Sequence, residues 1–177
     1  MKVTHIVAAA LAAVASVSPA LAQEPAAIPA EVEAGAIRNY VRIDERLAAA
    51  GQPTMETLRG LGKMGFKTVV TLRTPGEIEE DEGAIVREAG LDYVSVPISS
   101  GSFSSADVDA VARVLDDETT APVLLHCASS NRVGGVLAVL EARRGKSTED
   151  ALAFGKQAGL KSPSLIEAAT RLIEAER

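Results

Sequence analysis

The stretch VLLHCASSNRVGG, Val123 to Gly135, carries the only cysteine of the chain. Cys127 closes an apolar run, follows a histidine, and is separated by four residues from an arginine. The run APVLLHC is the most apolar in the sequence and reads as the strand at the centre of a sheet. The small residues Ala128, Ser129, Ser130 and Asn131 read as a turn, and a helix is expected over Val133 to Arg144. Strand, tight turn and helix in direct succession make this the point on which the rest of the chain is organised.

Working outward, the segments alternate in type. YVRI and LAAAGQ read as two short strands joined through Asp44-Glu45, and Pro53-Thr54 opens a helix from Met55 to Met64 that stops at Gly65. FKTVVTLR is a β-branched strand, TPGE has turn chemistry, and an acidic helix is expected from Ile78 to Ala89. LDYVSVPI is a further strand, followed by the loop SSGSF. Ser104 and Asp107 have capping-box spacing for a helix over Ala106 to Asp116, Ser147 and Asp150 cap the next, and Ser162-Pro163 begins the last. This alternation predicts an α/β fold: a three-layer α/β/α sandwich around a mostly parallel sheet.

On that outline the motif acquires a chemistry. Ligands of open α/β sheets bind beyond the carboxyl ends of strands, where the next helix begins. The backbone amides of such a turn converge on an anion, helped by the positive end of the helix. Arg132 adds a planar fork that matches two oxygens of a phosphate or sulfate. The same field favours the thiolate form of Cys127, which becomes a nucleophile under an oxyanion cradle formed by residues 128–132. Phosphoryl transfer and sulfur transfer both need this arrangement. Gly134 and Gly135 suit a helix start packed close to neighbouring backbone. The plainer reading is a cysteine packed into the core.

Composition bounds the rest. MKVTHIVAAALAAVASVSPALAQ has a basic Lys2, an apolar run from Ile6 to Val17 and the small-residue site Ala20-Leu21-Ala22, the pattern of a signal peptide cut after Ala22. Periplasmic or secreted location and no stable membrane insertion after cleavage are therefore expected. Residues 23–38 read as a linker or loose arm rich in Ala, Pro and Glu, and 39–177 as a single domain. A formal charge of −6 with 3% aromatic residues argues against a nucleic-acid partner. One cysteine cannot form an internal disulfide, and with two histidines, one of them in the leader, it makes no metal site. No cofactor is implied.

At these residues the sequence resembles the cysteine-dependent protein tyrosine phosphatase superfamily. It is most similar to the bacterial branch called beta-lactamase-hydrolase-like or dual-specificity phosphatases. The resemblance rests on GQPTMETLRGLGKMGFKTVVTLR (Gly51 to Arg73), on TPGE with Glu77, and on HCASSNRVGG, and it spans about Asn39 to Arg144. It implies a protein tyrosine phosphatase-like fold and a cysteinyl-phosphate intermediate on Cys127, with Arg132 as oxyanion clamp and a phosphorylated protein or small phosphoester as substrate. It further implies that His126 helps hold the loop, and that Arg73 sits near the loop and pairs with Glu77.

Two departures keep other readings open. The spacing is C-x4-R where most tyrosine phosphatases have C-x5-R, a length shared with rhodanese-like sulfurtransferases, which would carry a Cys127 persulfide. The loop SSGSFSSAD, where the family's acid is expected, has no carboxylate before Asp107, which is also a helix cap and is the candidate acid. Val133 stands where many phosphatases carry Ser or Thr. A non-catalytic anion-binding module is the third reading.

Overall fold

The computed structural model describes residues 37–78 and 81–177. The expected leader, residues 23–36 of the expected arm, and Glu79 and Glu80 lie outside the described residues. Five strands form one sheet: β1 (Val41–Arg42), β2 (Leu47–Ala50), β3 (Thr68–Thr71), β4 (Asp92–Ser95) and β5 (Val123–His126). Their order is β1-β2-β5-β3-β4. Only the β1–β2 pair is antiparallel. β5 lies in the middle, flanked by β2 and β3, so Ala50, His126 and Thr71 stand in one row at the carboxyl edge.

The helices are α1 (Met55–Gly60), α2 (Glu82–Glu88), α3 (Ser105–Asp116), α4 (Asn131–Arg143), α5 (Thr148–Gln157) and α6 (Pro163–Ala175). Strand side chains alternate between faces. Leu47, Ala49, Val70, Val123 and Leu125 therefore join one apolar cluster with residues of α3, α4, α5 and α6. Ala48, Ala50, Val69 and Leu124 join the other, with residues of α1 and α2. This is the expected three-layer α/β/α sandwich, with the apolar strand at its centre. Ile37 is buried in the second cluster, and Arg38 O accepts from Gly51 N at 2.7 Å, so the packed chain takes in both residues. No helix among the described residues is long and apolar enough to cross a membrane.

Local chemistry moves some boundaries. The acidic helix begins at Glu82, not Ile78, because Asp81 caps it: its side chain accepts from Ala84 N. The turn before it is a short 3₁₀ segment over Pro75–Glu77. α4 begins two residues earlier than the sequence implies, which puts Arg132 in its first turn.

α4 is buried from Arg132 to Leu140. Its start crosses α5 backbone against backbone. A Cβ placed on Gly134 would lie 2.4 Å from Gly155 O and 2.5 Å from Leu160 N, and one on Gly135 would meet the Phe103 ring at 2.9 Å. The close-packing role expected of the two glycines is what the structure contains. Gly76, by contrast, has nothing within 4 Å of such an atom. Gly134→Ala is expected to cost about 3 kcal/mol or more, lowering the melting temperature by about 6–12 °C. Gly76→Ala is expected to melt with the parent, and a calorimetric scan of both variants checks the contrast.

Candidate active site

Cys127 follows directly on β5 and is buried, with 1% of its surface exposed. The chain then turns through Ala128, Ser129 and Ser130 into α4. Ser130 makes the turn in the left-handed region, at φ 67°. A side chain there is strained, and two contacts hold it. Ser130 Oγ donates to Ala158 O at 2.7 Å, and Gly159, itself at φ 108°, leaves space for the Ser130 side chain. Asn131 anchors the other half of the turn: its Oδ1 accepts from Lys161 N and Ser162 N at 2.6 and 2.7 Å.

The outer side of the turn is fixed as well. Gln52 N donates to Ala128 O at 3.2 Å, and Asn39 Nδ2 donates to Ser129 O at 3.1 Å. Asn39 does this from φ 50°, a conformation Asn tolerates better than most residues. With these anchors, the unsatisfied amides of the helix's first turn are available to an anion.

Arg132 is 3% exposed, and both terminal nitrogens of its guanidinium are anchored. Nη1 donates to Ile98 O at 2.9 Å, to Leu72 O at 3.2 Å and to Glu77 Oε2 at 2.7 Å, while Nη2 donates to Glu77 Oε1 at 2.8 Å. Burial alone would lower the Arg132 pKa, but the Glu77 bond and the adjacent Cys127 sulfur keep it above its ordinary value. Glu77 in turn is lowered to about 2, chiefly by its bond from Arg132. A forked, partly buried pair therefore points the cation at the cysteine.

The expected Arg73–Glu77 pair is not formed. Thr74 is extended, at ψ 154°, and Pro75 opens a 3₁₀ turn, so residues four apart do not face each other as they would on an α-helix. Arg73 Nη1 instead donates to Gln52 Oε1 at 2.7 Å and lies 3.9 Å from Glu82 Oε2.

Glu82 and Gln52 join the candidate site without having been assigned to it from sequence. The Glu82 carboxyl is fully buried. It accepts from Gln52 Nε2 at 2.5 Å and from the Tyr93 hydroxyl at 3.1 Å, and Oε1 faces His126 Nε2 at 3.2 Å without in-line hydrogen-bond geometry. Burial pushes this carboxyl up, yet His126, Gln52 and Tyr93 together bring it below its usual value. Tyr93 is raised in response, by burial first and then by the Glu82 charge. His126 is thus the inner end of a polar chain running Arg73–Gln52–Glu82–His126, one residue from the thiol. The signal for Gln52 was its place in the Gly51-Gln52-Pro53 segment; nothing marked Glu82 among its acidic neighbours.

Asp107 sits in its capping box, where Oδ2 accepts from Ser104 N and Ser104 Oγ, both at 2.8 Å. Asp109 pairs with Arg143 at 2.7 Å. The structure therefore brings together Cys127, Arg132, Glu77, His126 and the 128–131 turn, adds Gln52, Glu82 and Asn39, and leaves Asp107 in its cap.

A geometry of this kind has close counterparts. A Beta-lactamase hydrolase-like protein of Agrobacterium fabrum is 33% identical over 140 residues, covering 76% of this chain and 31% of that protein. The Dual specificity protein phosphatase TpbA of Pseudomonas aeruginosa is 30% identical over 103 residues, covering 58% and 45%. The chain thus spans less than half the length of these curated relatives. The crystal structure of P. aeruginosa TpbA superposes with a TM-score of 0.62 at 25% identity, covering 78% of this chain and 84% of that one. Tk-PTP in its active form superposes with 0.66 at 22% identity, covering 77% and 97%, and shares the fold. Residues 31–170 match the family described as "DSP-PTPase phosphatase fused to NAD+ Kinase", and the chain belongs to that family.

Proposed function

We propose that this protein is an exported phosphatase that forms a cysteinyl-phosphate on Cys127 and acts on a phosphorylated protein or a small phosphoester. The observation that carries the proposal is the Glu77-held Arg132 directed at a buried cysteine that opens an anion-binding turn. A TpbA structure in complex with pTyr supports an aryl phosphate as substrate. Export rests on the leader-like first 22 residues alone.

The chemistry runs in two steps. The Cys127 thiolate attacks phosphorus, forming an S–P bond as the P–O bond to the leaving alcohol breaks with its electron pair. The alcohol oxygen takes a proton from solvent water, and Arg132 with the turn amides holds the charge on the non-bridging oxygens. Water then attacks phosphorus and gives up a proton to solvent, the S–P pair returns to sulfur, and inorganic phosphate leaves. Asp107 is the nearest carboxylate in sequence to the expected acid position. Because its oxygens serve the cap, leaving groups that need little protonation are favoured. The C-x4-R spacing sustains a second reading, sulfur transfer through a Cys127 persulfide.

Reduced protein incubated with an aryl phosphate, with Cys127→Ser alongside, tests the reading. Phosphate release that vanishes in the variant is expected. No release from folded protein with a free thiol sinks the phosphatase, and thiosulfate-to-cyanide transfer then decides for the sulfurtransferase.

Glu77→Gln loosens Arg132 without removing it, and kcat/KM is expected to fall about 10–100-fold with the fold retained. Because the Glu77 pKa is depressed from 4.5 to about 2, its pairing stabilises the fold fully above 4.5 and is lost as pH falls through about 2. The stability gap between parent and variant in urea titrations should close over that window. Glu82→Gln replaces an acceptor of several donors by a mixed amide. It should destabilise by about 3 kcal/mol and lower kcat/KM, which urea unfolding and steady-state kinetics on the same preparation would measure.

A further inference from the structure

The two edges of the sheet are not alike. β1 closes one edge with two residues only. β4 forms the other with four, Asp92-Tyr93-Val94-Ser95, and pairs with β3 alone. Asp92 N donates to Lys67 O at 3.0 Å and Val96 N to Thr71 O at 2.9 Å, so alternate residues, Asp92, Val94 and Val96, turn their main chain to β3. Tyr93 and Ser95 turn theirs outward. Among the described residues nothing hydrogen-bonds to the main chain of either on that side, and Ser95 is exposed. Natural edges are commonly blunted by lysine, proline or a bulge. None of these interrupts β4, whose register to β3 is unbroken and whose single charge, Asp92, lies at its start.

A groove of about 340 Å³ runs beside this edge, lined by Pro75, Ile78, Asp81, Arg87, Tyr93 and Ser95. Its charge is divided along its length. α2 leads from the carboxyl edge of the sheet back to the amino edge, so Arg87 in its last turn lies toward the start of β4, with its guanidinium 5.4 Å from the centre of the Tyr93 ring. Asp81, the N-cap of α2, lies toward the end of β4, beside the Pro75–Ile78 turn. Asp81 Oδ1 accepts from Ala84 N at 2.9 Å, and neither Asp81 nor Arg87 has an ion-pair partner among the described residues.

Such a strip is complementary to itself when reversed. Antiparallel pairing about a two-fold axis at Val94 sets Tyr93 opposite the partner's Ser95, and Ser95 opposite the partner's Tyr93. Both outward-facing residues then form hydrogen-bonded pairs, each exchanging two bonds. An axis at Ser95 would instead set Tyr93 against the partner's Pro97, which has no N–H to give. On the α2 face, the axis at Val94 carries Arg87 toward the partner's Asp81 and Tyr93 toward the apolar Pro75–Ile78 turn.

We infer that the β4 edge is a self-association surface, on which a second copy of this chain adds its own β4 antiparallel and continues the sheet. The contact uses the same patch on both copies, so it closes at a dimer. β5 lies two strands in from this edge, which leaves the turn after Cys127 uncovered, and the inference stands apart from any chemistry there.

Sedimentation equilibrium of the whole protein over a range of concentrations tests it. A monomer–dimer equilibrium is expected with a dissociation constant on the order of 10–100 μM, as suits a small interface. Exchange of the Tyr93 and Ser95 amide hydrogens should slow as the concentration rises. Ser95→Pro removes an outward donor at a position where an edge tolerates proline, and Arg87→Glu sets carboxylate against carboxylate. Each should weaken the dimer at least tenfold. In a Cys127→Ser background, Val94→Cys should form a disulfide-linked dimer on mild oxidation, because the two-fold axis sets these side chains directly opposite each other. The surface is overturned by a monomer at every concentration up to about 1 mM, by a dimer in which the two amides exchange no more slowly, or by undiminished association in Arg87→Glu. Should Ser95→Pro fail to fold, absence of the Val94→Cys cross-link overturns it equally.

Discussion

A guanidinium buried to 3% exposure has to be matched by acceptors, and most of the carboxyl edge of this sheet is arranged to supply them. Arg132 draws Leu72 O from the end of β3, Ile98 O from the segment after β4, and Glu77 from the turn between β3 and α2. Two connections at the carboxyl edge of the sheet, those after β3 and after β4, therefore converge on one side chain of α4. Removing a charge partner from such a site costs about 3–5 kcal/mol, because the remaining charge stays buried. The cation that would bind substrate oxygens is also the cation that ties these loops together, so stability and anion binding draw on the same residue.

That convergence needs α4 to start close to the sheet and close to α5. The approach is set by two glycines facing each other, Gly134 and Gly155, whose carbonyls each lie where the other's Cβ would be. The helix start is thus located by steric exclusion and its first turn by the Ser130 and Asn131 side chains. On the other side of β5, the Glu82 carboxylate holds Gln52 and faces His126, and Gln52 N holds Ala128 O. The turn is gripped from both helical layers, with β5 between them.

How much of this could be read beforehand follows from the range of the interactions. The central strands are buried on both faces and so read as unbroken runs of small, apolar or β-branched residues; residues 47–50, 68–71 and 123–126 and the layered fold were therefore legible, and so were the caps at Ser104 and Ser147, which are local. The turn from Cys127 to Arg132 was legible because strand, small residues and helix succeed one another without interruption. The acidic run Glu77-Ile78-Glu79-Glu80-Asp81-Glu82 was not. Within it Glu77 clamps Arg132, Asp81 caps α2 and Glu82 is core, and only contacts made 11 to 55 residues away distinguish Glu77 from Glu82. Arg73 was assigned to the wrong carboxylate for the same reason: a four-residue separation is informative on a helix, and this segment is extended.

The small residues of the turn illustrate a last constraint. Ser130 and Asn131 could be taken for ligands of a bound anion, being polar and beside the cysteine. Their side chains are instead committed to the connection between α5 and α6, through Ala158 O, Lys161 N and Ser162 N. Ser129 and Ala128 are held by their carbonyls, to Asn39 and Gln52. With the Ser130 hydroxyl, the Asn131 Oδ1 and the carbonyls of Ala128 and Ser129 committed to the surrounding protein, and the Ser129 hydroxyl accepting from Asn131 Nδ2, the donors left to the proposed anion are amide N–H groups and the Arg132 fork. On the proposed reading such a turn recognises a multi-oxygen anion through its backbone, and its residue identities serve to fix the geometry in which that backbone is presented.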